Sequence, residues 1–365
     1  MKYKLSDICA FTDERIVVTD LDLDNYISTE NMLQNKEGVI RSARLPTVNQ
    51  IQAYQPGDVL ISNIRPYFKK IWYADRSGGC SNDVLVLRPK ENTYPGFLYY
   101  LLSDNAFFNY ATATAKGTKM PRGDKDAIMK YEVPNLPIGI QIKIADILSA
   151  LDAQISNNKA INNHLEQIAQ AIFKEMFIKK EGDRISLLNF CKFIKGKKPA
   201  ILIDNYQNRS EPYLTIDSLT GTQKTYAVSK NSLIAHTRDI LMVMDGASSG
   251  TVYFGKRGIV GSTLAKITVS NLSMQEIIYQ TLKYFENNIR DHITGSAIPH
   301  VDKQYVLQLS ICVPDDYQRY SIYFEIIRNL LIENREQNIY LSALRDALLP
   351  RLMSGEIDVS HLKTD

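Results

Sequence analysis

Side chains able to hold an anion and to read polar edges gather in a few short segments of this chain. Ser62-Asn63-Ile64-Arg65-Pro66-Tyr67-Phe68-Lys69-Lys70 combines amide, basic and aromatic groups just after an apolar run, and within it Asn63 and Arg65 are the candidate readers. Lys116-Gly117-Thr118-Lys119-Met120-Pro121-Arg122 presents Lys116, Thr118, Lys119 and Arg122 around a glycine. Lys195-Gly196-Lys197-Lys198-Pro199 is a glycine-hinged basic loop, and Ser249, Ser296 and His300 lie in two further loop-like stretches. Lys and Arg suit phosphates, whereas Arg, Asn, Gln and Ser reach the edges of bases. These residues, Lys195 among them, are therefore candidates for contact with nucleic acid, with Lys197 and Lys198 favouring phosphates. Any one of the loops reads equally well as solvated surface. What favours the collective reading is that they recur at matching places.

Catalytic chemistry is absent from the motifs. Gly250-Thr251-Val252-Tyr253-Phe254-Gly255-Lys256-Arg257 has phosphate-loop spacing, but Arg257 stands where a Ser or Thr must hold Mg²⁺, and its interior suits a strand. No Pro-Pro pair exists, so the Asn/Asp-Pro-Pro-aromatic tetrapeptide of base amino-methyltransferases is missing. Neither a strand-linked GxGxxG nor an HExxH occurs. His164, His236, His292, His300 and His361 are dispersed without metal-ligand spacing, so no metal site is expected. Asp58 and Asp239 recur in similar surroundings and read as turn-forming aspartates before strands.

The remaining composition bounds the class. With 365 residues the chain can hold two domains of ordinary size. A net charge of +3 does not by itself announce a polyanionic partner. Residues 183–314, however, carry fifteen Lys and Arg against ten Asp and Glu, whereas the first module is close to neutral. Cys9, Cys80, Cys191 and Cys312 are scattered, which argues against a zinc ribbon or a disulfide framework. No signal-peptide run follows Met1, and no stretch has the roughly 18 apolar residues of a membrane span, so a soluble, cytoplasmic protein is expected.

The elements that must position the loops come twice. From Ile144 to Met176 a seam runs at alternating spacings of four and three, through Leu148, Leu151, Ile155, Asn158, Asn162 and Leu165. Ile147, Ile161 and Ile168 are expected to widen it. Shifted by 176 positions, the seam returns as Phe324, Ile327, Leu331, Asn334, Asn338 and Leu341. Asparagine at a seam costs stability and serves where register must be fixed. Two asparagines matching in both copies point to duplication rather than to two unrelated amphipathic helices.

The globular parts repeat as well. Gly57–Ile61 falls opposite Arg238–Met242, Ser81–Val86 opposite Ser262–Ile267, Phe97–Leu102 opposite Ile278–Lys283, and Lys116–Arg122 opposite Thr294–His300. Each module ends on a proline-marked strand, Val133-Pro134 and Val313-Pro314. The expected organisation is an α+β chain: module one at 1–139, a helix at 140–178, module two at 183–314, and a second helical segment at 315–357 whose helix runs over about 317–353. Pro350 is expected to kink or fray the end of that helix.

Taken together, these residues resemble a known family. Gln141-Ile142-Lys143-Ile144-Ala145-Asp146-Ile147-Leu148-Ser149-Ala150-Leu151-Asp152, continuing through Asn158, Asn162 and Phe173, resembles the central conserved region of the specificity subunits of type I restriction–modification systems. Leu344-Arg345-Asp346-Ala347-Leu348-Leu349-Pro350-Arg351-Leu352-Met353-Ser354-Gly355-Glu356-Ile357 resembles the ending of that family, and the Gly117–Pro121 and Gly295–Pro299 segments resemble its target-recognition domains. One departure is Gln318-Arg319-Tyr320, where the Gln-x-x-Ile-Ala pattern has decayed. The resemblance implies two β-rich target-recognition domains separated by two long antiparallel coiled-coil helices in a pseudo-twofold repeat. Each domain would read half of a split site on double-stranded DNA. The helices would dock two methyltransferase subunits, which in turn recruit ATP-dependent restriction subunits. No cofactor is then expected in this chain; S-adenosylmethionine, ATP and Mg²⁺ belong to the partners.

A helix of about 36 residues is roughly 54 Å long, more than the roughly 34–36 Å of a DNA turn, so an unread gap between half-sites is expected. Two rivals stand beside this reading. One is a two-module coiled-coil scaffold that never touches DNA and so shows no salt-dependent DNA affinity. The other is a self-sufficient nuclease or methyltransferase, which would need a catalytic cluster.

Overall fold

The computed structural model describes residues 3–220, 225–228, 231–295 and 299–362. The chain forms two compact units, one made of Met1–Asn157 with Gln337–Asp365, the other of Asn158–Glu336. Each unit therefore joins a β-rich module to a part of each long helix, and the compact units cut across both helices.

The first long helix, Ile138–Phe173, starts straight after Pro137 and ends in a π-helical turn, Lys174–Ile178. Along it Ile144, Leu148, Ile155, Asn158, Asn162 and Ala169 are buried, with Leu151 and Leu165 half-buried. Ile147 packs on the first unit's core, but Ile161 and Ile168 are exposed, so the apolar face there is narrower than the sequence suggests. The second long helix, Tyr317–Met353, buries Phe324, Ile327 and Leu331 and half-buries Asn334, Asn338 and Leu341. It runs through Pro350 for three more residues, so the proline does not end it.

Within each unit the helix segments pair antiparallel. In the first, Arg345 Nη1 lies 2.6 Å from Asp152 Oδ1, and the Asn338 amide donates to the Ile155 carbonyl at 3.3 Å. In the second, Arg335 lies 3.2 Å from Glu166, and the Asn162 amide donates to the Leu331 carbonyl at 3.4 Å. Asn162 and Asn338 occupy equivalent seam positions and reach equivalent carbonyls, which is the internal repeat expressed as hydrogen bonds.

The Gln141-x-x-Ile144-Ala145 pattern has a structural reason. Buried Gln141 accepts from Tyr94 N–H at 2.9 Å and donates to the carbonyls of Leu136 and Asn92, while Ile144 and Ala145 enter the core. In the second copy Tyr317 replaces the glutamine and its hydroxyl accepts from Asn271, so the three-point clasp is gone.

The main sheet repeats strand for strand. In the first unit its order is Cys9–Phe11, Val84–Pro89, Val59–Ser62, Ile71–Tyr73; in the second it is Cys191–Lys195, Leu264–Val269, Ile240–Val243, Val252–Tyr253. The central strand is buried on both faces: Val59 and Ile61 join the core that holds Leu148 and Leu352, while Leu60 turns to a second core under the other sheet. Ile240 and Met242 against Leu241 and Val243 do the same in the second unit. Asp58 and Asp239 each accept from a backbone N–H three residues back, at 2.9 and 2.7 Å. Arg88 holds Asp58 through two hydrogen bonds and Lys266 holds Asp239 at 2.6 Å, which fits turn-forming aspartates.

The smaller sheets have diverged. Gly78–Cys80 and Gly258–Val260 each sit between one parallel and one antiparallel neighbour. The second unit adds Tyr226–Val228 and Leu202–Ile203 beyond them. All four cysteines are buried and free. Among the described residues no helix is long and apolar enough to cross a membrane.

Candidate nucleic-acid interface

In the first unit the chain after strand Val59–Ser62 and the segment before helix Lys125–Met129 close on each other. Asn63 donates its N–H to the Asp83 carbonyl and accepts from Gly123 N–H; Arg65 N–H donates to the Pro121 carbonyl at 2.8 Å. Lys116 and Arg122 exchange backbone hydrogen bonds at 2.8 and 2.9 Å, which pinches off a five-residue tip, 117–121. Gly117 opens that tip at φ +94°, a conformation that favours glycine. Asp124 then caps the following helix and lies 2.6 Å from Lys116 Nζ.

The second unit builds the same clip. Met244 donates to the Thr263 carbonyl and accepts from Val301 N–H, and Gly246 donates to the Pro299 carbonyl at 2.9 Å. Thr294 and His300 exchange backbone bonds at 2.8 and 2.7 Å, Gly295 stands at φ +92°, and Asp302 caps the next helix. The backbone is thus repeated within the chain while the side chains differ: Arg122 occupies the place of His300, and Ile64 that of Asp245.

Electrostatics differ accordingly. Arg122 Nη2 lies 3.0 Å from Asp83 Oδ1. In the second clip Asp245 is shared, with Lys195 Nζ 2.7 Å from one oxygen and His300 Nδ1 2.7 Å from the other. Burial alone would raise the Asp245 carboxyl, but the hydrogen bonds from Lys195 and His300 override it and hold the group below the usual aspartate range.

The candidate residues are placed unequally. Lys116, Thr118, Lys119 and Arg122 are all exposed on the first clip, and His300, Lys195, Lys197 and Lys198 lie on or beside the second. Asn63 and Arg65 are half-buried and belong to the clip's frame: Arg65 adopts φ +51° and its guanidinium lies 5.9 Å from the Phe68 ring centre. Ser249 does not face solvent at all. It is 2% exposed and donates its hydroxyl to the carbonyls of Gly246 and Pro299, so it braces the loop from inside. Ser296 lies outside the described residues. Lys69 and Lys70 are tied to Asn105 and to the Thr29 carbonyl.

Sequence reading misses Asp245 and Asp83 as the carboxylates that orient the clip side chains. Their only signal is an acidic residue at the root of a basic loop.

A cleft lies beside each clip, after the first strand of the main sheet. In the first unit it is about 260 Å³ and is lined by Thr12, Asp13, Arg15, Gln52, Asn82 and Lys125. In the second it is about 420 Å³ and is lined by Lys195, Lys197, Lys198 and Asn231 with apolar Ile194 and Ile201. Gly196 makes this turn possible, since a Cβ there would meet the Val260 carbonyl oxygen at 2.2 Å. Among the described residues no cluster of His, Cys, Asp and Glu could hold a metal ion.

Residues 1–167 and 174–339 both match the family described as the type I restriction modification DNA specificity domain. The specificity subunit of type I restriction enzyme HindI from Haemophilus influenzae is 26% identical over 350 residues, covering 86% of this chain and 73% of that protein. The MjaIX specificity subunit of Methanocaldococcus jannaschii is 24% identical over 314 residues, covering 75% and 72%. The MjaVIII specificity subunit of the same organism is 32% identical over 148 residues, which cover 39% of this chain and 35% of that protein, so this match spans about a third of its length. The crystal structure of a type I restriction–modification S subunit from M. genitalium shares the fold, with a TM-score of 0.60 at 16% identity, covering 97% of this chain and 96% of that one.

Proposed function

Because the chain belongs to the type I restriction–modification specificity family, we propose that its two modules each read one half of a split site on double-stranded DNA through the clips. One observation carries this reading. Two clips with the same backbone pattern expose different side chains, as a pair of readers with unequal targets requires. The basic excess of residues 183–314 and the exposed Lys116, Lys119, Lys197 and Lys198 support phosphate contact. In this reading the chain performs no chemistry. Base methylation with S-adenosylmethionine and ATP-driven, Mg²⁺-dependent cleavage belong to partner subunits.

The same proposal assigns the long helices to docking of two methyltransferase subunits, through which the restriction subunits join. In the second unit Ile322, Ile326 and Leu330, spaced by four on one helix face, are 57%, 52% and 42% exposed. Exposed apolar side chains at helical spacing form a surface that a partner can cover.

A module exchange tests the reading. Replacing residues 183–314 with the corresponding module of a relative is expected to change one half of the recognised sequence and leave the other intact. A change in both halves, or in neither, overturns it. The same complex is expected to lose DNA affinity steeply as salt rises, whereas a scaffold that ignores DNA would not. The chain alone, incubated with DNA and S-adenosylmethionine or Mg²⁺, is expected to leave the DNA unmodified and uncut.

A further inference from the structure

We propose that Arg122 and His300, which fill the same position in the two clips, read base edges of opposite hydrogen-bond polarity: Arg122 donates to a guanine, and His300 accepts from the amino group of an adenine or cytosine. This rests on the clips being the DNA-reading surfaces.

The equivalence is set by the backbone. Arg122 exchanges hydrogen bonds with Lys116 as His300 does with Thr294, and the residue before each, Pro121 or Pro299, accepts from the facing loop. Both side chains stay accessible, 57% and 50% exposed, and each rests on one carboxylate. A guanidinium has donors only. With Nη2 turned to Asp83, the remaining N–H groups of Arg122 match the O6 and N7 acceptors of guanine in the major groove.

His300 differs because of Asp245. That carboxylate is held by Lys195 on one oxygen and faces His300 Nδ1 on the other, and an ionised carboxylate only accepts. The ring proton therefore sits on Nδ1, and the outward Nε2 is a lone pair while the imidazole is neutral. In the major groove the amino donors are adenine N6 and cytosine N4. Asp245, held from behind by Lys195, fixes the ring, and Thr294 Oγ1 reaches the His300 carbonyl, not the ring. The two clips thus offer an acceptor in one half-site and donors in the other.

The test is selection from a randomised duplex library by the full chain co-expressed with the methyltransferase of its system. One position of the second half-site is expected to enrich adenine or cytosine by roughly tenfold, the scale of one base-edge contact. H300R is expected to shift that position to guanine while binding persists. R122Q is expected to relax a guanine in the first half-site only. If H300R weakens all sequences alike, or leaves the enriched base unchanged, the proposal fails. If the wild-type complex enriches no sequence at all, it is the DNA-reading function that fails instead.

Discussion

Asn334 donates its side-chain amide to the amide oxygen of Asn162 at 2.8 Å, inside the helix pair of the second unit. Asn162 passes the interaction on, donating to the Leu331 carbonyl. This is a polar contact with a direction, and it exists in only one alignment of the two helices. Asn334→Leu alone strands a half-satisfied Asn162 and is expected to cost about 1–3 kcal/mol. The double variant N162L/N334L removes both partners and is expected to recover most of that deficit or exceed the wild type, while admitting other registers. Urea denaturation of N162L, N334L and the double variant checks this; a double variant as unstable as the sum of the singles would contradict it.

Gln141 ties the start of the first long helix to the loop that holds Asn92 and Tyr94. Gln141→Ala leaves Tyr94 N–H and the Leu136 carbonyl without their partner and is expected to destabilise the first unit by about 2–3 kcal/mol. Gln141→Glu keeps the acceptor but has no amide donors, so it is not a rescue. Thermal melting read separately from DNA affinity distinguishes this from a binding defect.

Asp245 gives the second clip an acid limb. Its folded carboxyl lies below the ordinary aspartate value, so as pH falls the unfolded chain takes up the proton first. The stability it contributes is whole above the unfolded value and is lost as pH drops through the folded one. Melting temperature is therefore expected to fall more steeply below about pH 4 in the wild type than in D245N. Parallel curves would show that the carboxylate is not held by Lys195 and His300 as described.

Two kinds of loop substitution are expected to separate cleanly. Lys197→Ala and Lys198→Ala should lower affinity for all sequences and reduce the salt slope by about one for each phosphate the side chain neutralises. Ser249→Ala should cost about 1 kcal/mol of stability, because its hydroxyl no longer reaches the two carbonyls, with base preference unchanged.

The exposed stripe predicts a partner defect without a folding defect. Ile326→Glu is expected to change stability by no more than about 0.5 kcal/mol, since the side chain is already half in water. Co-purification with the methyltransferase subunit is the measurement, and retained binding by I322E/I326E would move the dock elsewhere.

The helices are legible in the sequence because their signal is local. Seam residues recur every three or four positions, and the asparagines mark register whatever surrounds them. Ile161 and Ile168 mislead for the same reason: apolar identity predicts burial only where something is packed opposite, and that depends on the tertiary neighbourhood. The clips are half legible. Their glycines and prolines show in both copies, but the pairing of the 63–65 segment with 121–123 joins residues far apart in sequence. Ser249 reads as outward-facing because the Pro299 carbonyl that turns it inward is fifty positions away. The added pair of strands, Leu202–Ile203 and Tyr226–Val228, is short and carries no alternation strong enough to mark it.

The division of the helices between the units makes one continuous in sequence and the other not. Residues 158–336 are one uninterrupted stretch, so the second unit draws on no residue outside it. The first unit is split: its core includes Leu349, Leu352, Met353 and Val359 alongside Leu5 and Leu148. The core of the first unit is therefore complete only with residues that follow the whole of the second unit along the chain. A chain cut between residue 337 and about residue 349 keeps the second unit's sequence entire and strips Leu349, Leu352, Met353 and Val359 from the core of the first, so a lesion late in the sequence is felt by the module that precedes it.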